Sequence, residues 1–549
     1  MSSKVLQLDA KDNVLIALVD LSQGEQILFD GSTYALVYDV PAKHKFAIRD
    51  LTVGADVIMY GVLVATATKA IQRGERLTPL NVHHRASAIH ERSDGYHWSP
   101  PDVAPWKQRT FMGYHRSDGQ VGTRNYWLVV PLVFCENRNI DVLKQAFEEE
   151  LGYAVPQIYR RQVAHLAKLY RDGTTEWPET RVEGRRNIET TRARLFENVD
   201  GVKFLIHHGG CGGTREDSET LCGLIAGYIH HPNVAGATVL SLGCQSAQVE
   251  ILRREIYERN RNFDKPLLVL EQQKSGLEYT MLSDAIQKTF MGLIDANRNT
   301  RRPAKLSNLC VGLKCGGSDG FSGISANPAV GHTADLLVAL GARAILSEFP
   351  ELCGVEQEFI DRSVSKEIGL RFAQLMRDYQ ERALSAGSSF EMNPSPGNIR
   401  DGLITDAMKS AGAAKKGGTS PVTAVLDYPQ YSTQAGLQLL CTPGNDVECV
   451  TAQVGAGANL VLFTTGLGTP TGNPIAPVMK LATNSNMAEH MNDIIDCDTG
   501  PVITGTKTIQ QVGEEILDAL IQVASGEVRT KSELNAQNDF IPWKRGVSL

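Results

Sequence analysis

Residues 312–328 read Gly312-Leu313-Lys314-Cys315-Gly316-Gly317-Ser318-Asp319-Gly320-Phe321-Ser322-Gly323-Ile324-Ser325-Ala326-Asn327-Pro328. Glycines, a thiol, a carboxylate and small hydroxyls are mixed in one short run. A packed helix or strand interior gains little from that mixture, because glycine costs backbone entropy and adds no side-chain contact. A loop that wraps its backbone around a polar ligand needs it. The run follows the apolar residues Leu309, Cys310 and Val311, so it is expected to leave the end of a strand. In open α/β sheets, ligands bind at that end.

Apolar runs elsewhere repeat the arrangement. Tyr126–Val133, Val202–Ile206, Ala237–Leu242 and Pro266–Leu270 are each followed by a turn containing glycine or cysteine and then by a helical stretch. That alternation predicts parallel strands with crossover helices. A second set begins near residue 305, with strands expected at 344–346, 422–425 and 460–464. Residues 506–526 repeat apolar positions at helical spacing and end in Gly526, which predicts a helix with a C-terminal stop. Residues 1–85 differ: short β-like runs at 14–19, 33–37 and 57–60 are separated by turn signals such as Asp30-Gly31. Residues 86–110 lack periodicity and read as a linker. The expected architecture is α/β: a small β-rich domain over 1–85, then α/β domains over 111–300 and 301–549 with mainly parallel sheets. The charged stretch 170–195 reads as a surface insertion.

Composition narrows the function. A net charge of −7 over 549 residues argues against a general nucleic-acid binder, which carries a basic face. It leaves room for an anionic small molecule in a local basic pocket. No run of eighteen apolar residues occurs, so no membrane-spanning helix is expected. The ten cysteines include no Cys-x-x-Cys pair. Free thiols in a reducing cytoplasm are the expectation.

Cys135, Cys211 and Cys244 each follow an apolar strand, the last two preceded by glycine. Thiols so placed face a ligand or fill a core, and thiolates favour soft metals such as iron and zinc. His207 and His208 precede the Gly209–Gly213 turn and add imidazoles, the usual general base and a common metal ligand. The loops Asn393-Pro394-Ser395-Pro396-Gly397-Asn398 and Thr464–Pro474 are rigid and polar, suited to hydroxyls and carboxylates, and Lys480 follows the second. Arg124 and Asn125 stand before a strand and could clamp a carboxylate. The run Val454–Leu460 precedes its strand and lacks a third glycine, which argues against a nicotinamide site.

Together these residues resemble the altronate dehydratase / galactarate dehydratase family over nearly the whole chain. His44-Lys45-Phe46-Ala47, Tyr60-Gly61, Gly122-Thr123-Arg124-Asn125, Cys135, His207, Gly210-Cys211 and Gly243-Cys244 carry the likeness. The most specific segments are Cys315–Asp319, Ala326-Asn327-Pro328, 393–398 and 464–470. The resemblance implies an N-terminal SAF domain and a hydro-lyase that converts an aldonate or aldarate to a 2-keto-3-deoxy acid. It implies a divalent metal, iron(II) or manganese; the thiols at the strand ends put the expected site near Cys135, Cys211 and Cys244, with His207 as ligand or base. His207, His44, Asp319 and Glu351 are the expected catalytic candidates. Arg124, Asn125, Ser318, Asn393, Ser395, Asn398 and Lys480 are the expected substrate contacts. A homo-oligomer, a dimer, is expected.

The chain departs from the family pattern at Thr78-Pro79-Leu80-Asn81, at Arg400-Asp401-Gly402 and at Leu467, so altronate itself is not implied. Relatives acting as sulfo-lyases on sulfolactate give a second reading, and a non-catalytic sugar-acid-binding protein a third. Retention of His44, His207, Cys135, Cys211, Cys244 and Cys315 speaks against the third.

Overall fold

The computed structural model describes residues 4–548 apart from 156–157, 176, 178 and 180–192. Most of the insertion expected at 170–195 therefore lies outside the described residues.

The N-terminal unit is built from short antiparallel pieces. Val14–Ala17 runs between Val5–Leu6 and Lys45–Ala47, a hairpin joins Gln26–Phe29 to Ser32–Ala35, and Val62–Ala67 pairs with both Asp56–Met59 and Val82–His84. The strand Val14–Ala17 is buried on both faces, which is why it reads as a continuous apolar run instead of an alternating one.

The middle unit has a four-stranded parallel sheet in the order Gly201–Phe204, Tyr126–Pro131, Val234–Ser241, Leu267–Glu271. All four strands lie where the apolar runs fall in the sequence. A small antiparallel sheet stitches this unit to the next. In it, Thr110–His115 pairs with Val121–Gly122 on one side and Arg302–Lys305 on the other.

The C-terminal unit carries a seven-stranded parallel sheet: Val422–Leu426, Gly436–Leu440, Arg343–Leu346, Cys310–Cys315, Leu460–Thr465, Val478–Ala482, Cys497–Asp498. From Cys310–Cys315 the chain moves to the neighbour on one side. From Leu460–Thr465 it moves to the neighbour on the other. The loops leaving these two adjacent strands start at their carboxyl ends, the topological switch point where such sheets bind ligands, and they stay in contact: Gly466 N and Leu467 N both donate to Gly317 O at 3.0 Å. The Gly-rich run 316–325 and the loop 466–474 are those two loops.

The expected C-terminal helix spans Ile509–Ser525. Thr508 and Gln511 form a reciprocal capping box, and Gly526 ends the helix at φ 75°, where a left-handed residue without a Cβ is favoured. Its buried stripe (Val512, Ile516, Leu517, Leu520, Ile521) joins the main core, each fully buried side chain contributing on the order of 2 kcal/mol. Ala326–Ala339 packs beside it, and Thr333 Oγ1 donates to Gly513 O at 2.9 Å.

One core runs through the first and last units. Val57, Met59, Tyr60, Val64 and Leu77 of the N-terminal unit pack in the same cluster as Phe321, Ile324, Met408 and Ala411. Thr405 Oγ1 donates to Val64 O at 2.9 Å. The small unit is therefore seated against the switch-point loops, with Lys43 Nζ 2.9 Å from Asp319 Oδ2. No helix among the described residues is long and apolar enough to cross a membrane.

Candidate active site

The strand Cys310–Cys315 ends in a buried lysine and a buried thiol. Across from them the turn Glu348–Leu352, which follows the next strand, supplies Glu348 and Glu351. Lys314 Nζ contacts Glu348 Oε1 and lies 3.0 Å from Asp446 Oδ1, and it donates to Gly444 O at 3.1 Å. Lys416 Nζ lies 3.2 Å from Glu348 Oε2 and 2.6 Å from Cys315 Sγ. Lys409 Nζ lies 2.9 Å from Glu351 Oε1 and donates to Asn393 Oδ1 at 2.7 Å. Cys315 Sγ completes the ring 3.2 Å from Glu351 Oε2.

Three ammoniums thus face three carboxylates in a site where Lys314, Glu348, Lys416 and Cys315 are all almost wholly buried. Such a network survives burial only because each charge is paired and hydrogen-bonded. Burial alone would raise Glu351, but Lys409, Lys314 and Lys416 overcome it and hold the carboxyl down to about 2. Burial and the charge of Glu351 push Glu348 up, against Lys314 and Lys416. With an ammonium on each of its oxygens, Glu348 stays an acceptor at neutral pH. Burial, Glu348 and Glu351 push the Cys315 thiol up to about 12, so it is a neutral S–H. Glu348 itself sits at φ 70°, ψ 58°, a left-handed conformation that costs a non-glycine residue about 1–2 kcal/mol.

The second half of the site joins two units. Lys43 Nζ, from the N-terminal unit, lies 2.9 Å from Asp319 Oδ2 and 3.1 Å from Asp401 Oδ1. Asp319 is fully buried and also accepts from Ser322 Oγ at 3.0 Å, Phe321 N at 3.2 Å and Thr483 Oγ1 at 3.2 Å. Lys45 Nζ donates to Gly402 O at 2.7 Å. Burial brings Lys45 down to about 7, with Asp319 opposing and Lys43 adding to the fall. His44 Nε2 lies 3.0 Å from Arg400 O, so Nε2 carries the proton and Nδ1 keeps its lone pair. Burial, then the charges of Lys45 and Arg76, lower its pKa below the usual imidazole value. Gly466 packs so close that a Cβ there would lie 2.3 Å from Asp319 Cγ.

Among the expected site residues, Asp319, Glu351, His44, Ser318, Asn393, Ser395 and Asn398 gather around the two loops. Ser395 and Asn398 form the capping box of the short helix Pro396–Arg400, and Asn398 Nδ2 donates to Ser318 O at 2.7 Å. Their side chains hold the loops to each other. Arg124 lies elsewhere, paired with Glu533 at 2.7 Å, and Asn125 donates to Asn198 O and Ala296 O. Lys480 contacts Gln537 Oε1 and its backbone N donates to Asp496.

His207 is buried in the middle unit. Nε2 meets Pro131 O at 2.8 Å and Nδ1 accepts from Gly209 N at 3.1 Å. Both nitrogens are committed, and burial holds the ring neutral, down to about 4. Cys135, Cys211 and Cys244 are exposed and free. Their loops touch: Phe134 N donates to Gly209 O at 3.1 Å and Ala247 N to Gly210 O at 3.0 Å. The three sulfurs do not all lie within 4.8 Å of one another, whereas Cys315, Glu348 and Glu351 offer atoms that do. The latter set fits a divalent ion poorly. Its carboxylate oxygens already carry ammoniums, and Lys416 also points at its sulfur. The three exposed thiols on touching loops fit a soft metal better in donor chemistry.

Sequence reasoning missed Lys43, Lys314, Lys409, Lys416 and Glu348. Lys45 stood within a recognised motif but without a role. The one local signal was Lys314 inside an otherwise apolar strand, a place where an unpaired lysine is rarely tolerated.

The comparisons with known proteins agree with this architecture. Residues 3–85 match the altronate/galactarate dehydratase SAF domain, 113–297 the second domain of D-galactarate dehydratase/altronate hydrolase, and 306–548 the D-galactarate/altronate dehydratase C-terminal domain. Altronate dehydratase of Escherichia coli (strain K12) is 32% identical over 548 residues, 99% of each chain, and that of Bacillus subtilis (strain 168) 31% identical over 550 residues, again 99% of each. Galactarate dehydratase (L-threo-forming) of Escherichia coli (strain K12) is 31% identical over 511 residues, 91% of this chain and 88% of its own. Matched end to end at this identity, the chain belongs to the altronate/galactarate dehydratase family.

Proposed function

We propose that this protein is a hydro-lyase that removes water from a sugar acid and leaves a 2-keto-3-deoxy acid. The observation that carries this reading is the paired cluster at the switch point, Cys315–Glu348–Glu351 with Lys314, Lys409 and Lys416, faced by the Lys43–Asp319 pair. Removing the proton beside a carboxylate builds negative charge on that carboxylate, and fixed buried cations stabilise it without reorganising. Lys409 is the most exposed of the three ammoniums and stands beside Asn393, so the substrate carboxylate enters there.

His44 is the proposed base. Its Nδ1 lone pair is available at neutral pH, and an acid–base group near the working pH is the most effective. The imidazolium formed then returns its proton to the departing hydroxyl. Asp319, held by Lys43, Ser322 and Thr483, accepts hydrogen bonds from substrate hydroxyls. Cys135, Cys211 and Cys244 are the residues whose donor chemistry would hold iron(II), and the ion would supply Lewis acidity.

The test is formation of 2-keto-3-deoxy acid by anaerobically purified, iron-supplied protein across a panel of aldonates and aldarates. Turnover of one or two stereoisomers is expected. No turnover across the panel, or sulfite release from sulfolactate in its place, overturns the reading.

A further inference from the structure

Away from the paired cluster, three different ligand types meet where the N-terminal unit seats on the C-terminal one. His84 closes the strand Val82–His84. Cys353 follows the turn at 349–352, and Asp406 opens the helix Asp406–Ala414. One ligand atom from each of the three lies within 4.8 Å of the other two. Asp406 is 2% exposed, and no cation or backbone N–H meets its carboxylate; its one neighbouring donor among the described residues is the Cys353 thiol of the same cluster. A buried carboxyl so weakly bonded costs free energy that the fold must recover. Four other buried carboxyls near the switch point (Asp319, Asp335, Glu348, Glu351) meet ammoniums or backbone N–H groups, which sets Asp406 apart.

We propose that His84, Cys353 and Asp406 bind a zinc-class divalent ion that clips the N-terminal unit to the C-terminal unit. The donor set is one imidazole nitrogen, one sulfur and one carboxylate oxygen. That mixture suits zinc and excludes calcium and magnesium, which take all-oxygen sites. His84 Nδ1 accepts from Ala407 N at 3.2 Å, which turns the ring toward the first turn of the helix, the turn that bears Asp406. The ion takes over that lone pair. Zinc ligands at about 2.0–2.3 Å from the metal stand closer together than 4.8 Å, so a small inward shift of the three side chains completes three corners of a tetrahedron, with water at the fourth. One helical turn beyond Asp406 the same helix presents Lys409 to Glu351, so the clip also fixes the helix that carries an active-site ammonium.

The experiment uses the full chain, stripped with chelator and titrated anaerobically with zinc(II) or cobalt(II). Three forms are compared: the unaltered protein, Cys353→Ser, and the combined Cys135→Ser/Cys211→Ser/Cys244→Ser variant. The proposal expects the combined variant to retain one tight equivalent, with a tetrahedral cobalt spectrum and a thiolate charge-transfer band. Cys353→Ser should bind at that site at least tenfold more weakly and lose that band. Should Cys353→Ser misfold, alkylation mapping of the combined variant by mass spectrometry decides. One equivalent of zinc should slow modification of Cys353 at least tenfold. Retention of the band in a folded Cys353→Ser protein, absence of a tight equivalent in the combined variant, or unchanged alkylation of Cys353 overturns the proposal. Loss of sugar-acid turnover alone bears on the proposed function and not on this site.

Discussion

Lys43 of the N-terminal unit closes on Asp319 of the C-terminal unit at 2.9 Å, with Asp319 fully buried and Lys43 held at φ 76°. The pair spans the seam that the shared core creates. It places a strained lysine over the carboxylate at the switch point. Breaking a buried pair by removing one partner leaves an uncompensated charge. Lys43→Met is therefore expected to lower stability by about 3 kcal/mol and to lower kcat/KM more than KM alone explains. In a double-mutant cycle with Asp319→Asn, the two losses should be far from additive. Additive losses would show that the pair does not act as a unit.

His44→Asn keeps a polar side chain and removes the base. A drop in kcat of about 10²–10⁴-fold with little change in KM is expected. The unaltered enzyme should show an acid limb in kcat/KM below the ordinary imidazole pKa, because burial lowers His44. A variant with unchanged kcat removes His44 from the mechanism.

Lys45 gives a stability prediction with a definite sign. Its folded pKa, about 7, lies below the ordinary lysine value of 10.5. Between those values the unfolded chain binds the proton that the folded chain has released, so stability rises with pH across that window. Below pH ~7 the burial penalty on the charged amine is felt in full. Relative to Lys45→Met, the unaltered protein should gain stability from pH 7 toward pH 10, by a few kcal/mol in total. Denaturant melts at several pH values measure this, and a flat difference contradicts it.

Thiol reactivity should divide by environment. Cys315 is a neutral thiol, raised to about 12 and 2% exposed, so iodoacetamide at pH 8 should leave it unmodified in the folded chain while Cys135, Cys211 and Cys244 react. Mass mapping of early labelling shows the order directly.

Gly466→Ala tests the close approach between the two loops. The added Cβ would stand 2.3 Å from Asp319 Cγ, so Asp319 must move. Activity should fall by at least about 10²-fold, the cost of a small misplacement near the reacting centre, with overall fold retained by circular dichroism. Unimpaired turnover would mean that the position of Asp319 does not matter.

Much of the fold was legible because buried parallel strands write themselves as continuous apolar runs. Tyr126–Pro131, Val234–Ser241 and Leu460–Thr465 all sit on such runs. The Gly-rich segment after Cys315 marked the switch point for the same reason, since a strand end followed by small polar residues is locally visible. The lysine cluster was not legible. Lys409 and Lys416 read as solvated charges in sequence, and only the fold brings them to carboxylates and a thiol 58–101 positions away. Arg124 shows the converse. It stands where a carboxylate clamp is expected, and the carboxylate that it meets is Glu533 of its own chain.

The most direct test of the central claim is the 2-keto-3-deoxy acid assay on the sugar-acid panel, run in parallel on the unaltered protein and on Glu351→Gln. Removing the Glu351 charge frees Lys409 from its counter-ion and unbalances the cluster at the switch point. Turnover of one or two sugar acids is expected from the unaltered enzyme, with a loss of about 10²-fold or more in kcat/KM in the variant. Equal turnover by both proteins would place the reaction elsewhere in the molecule and contradict the assignment.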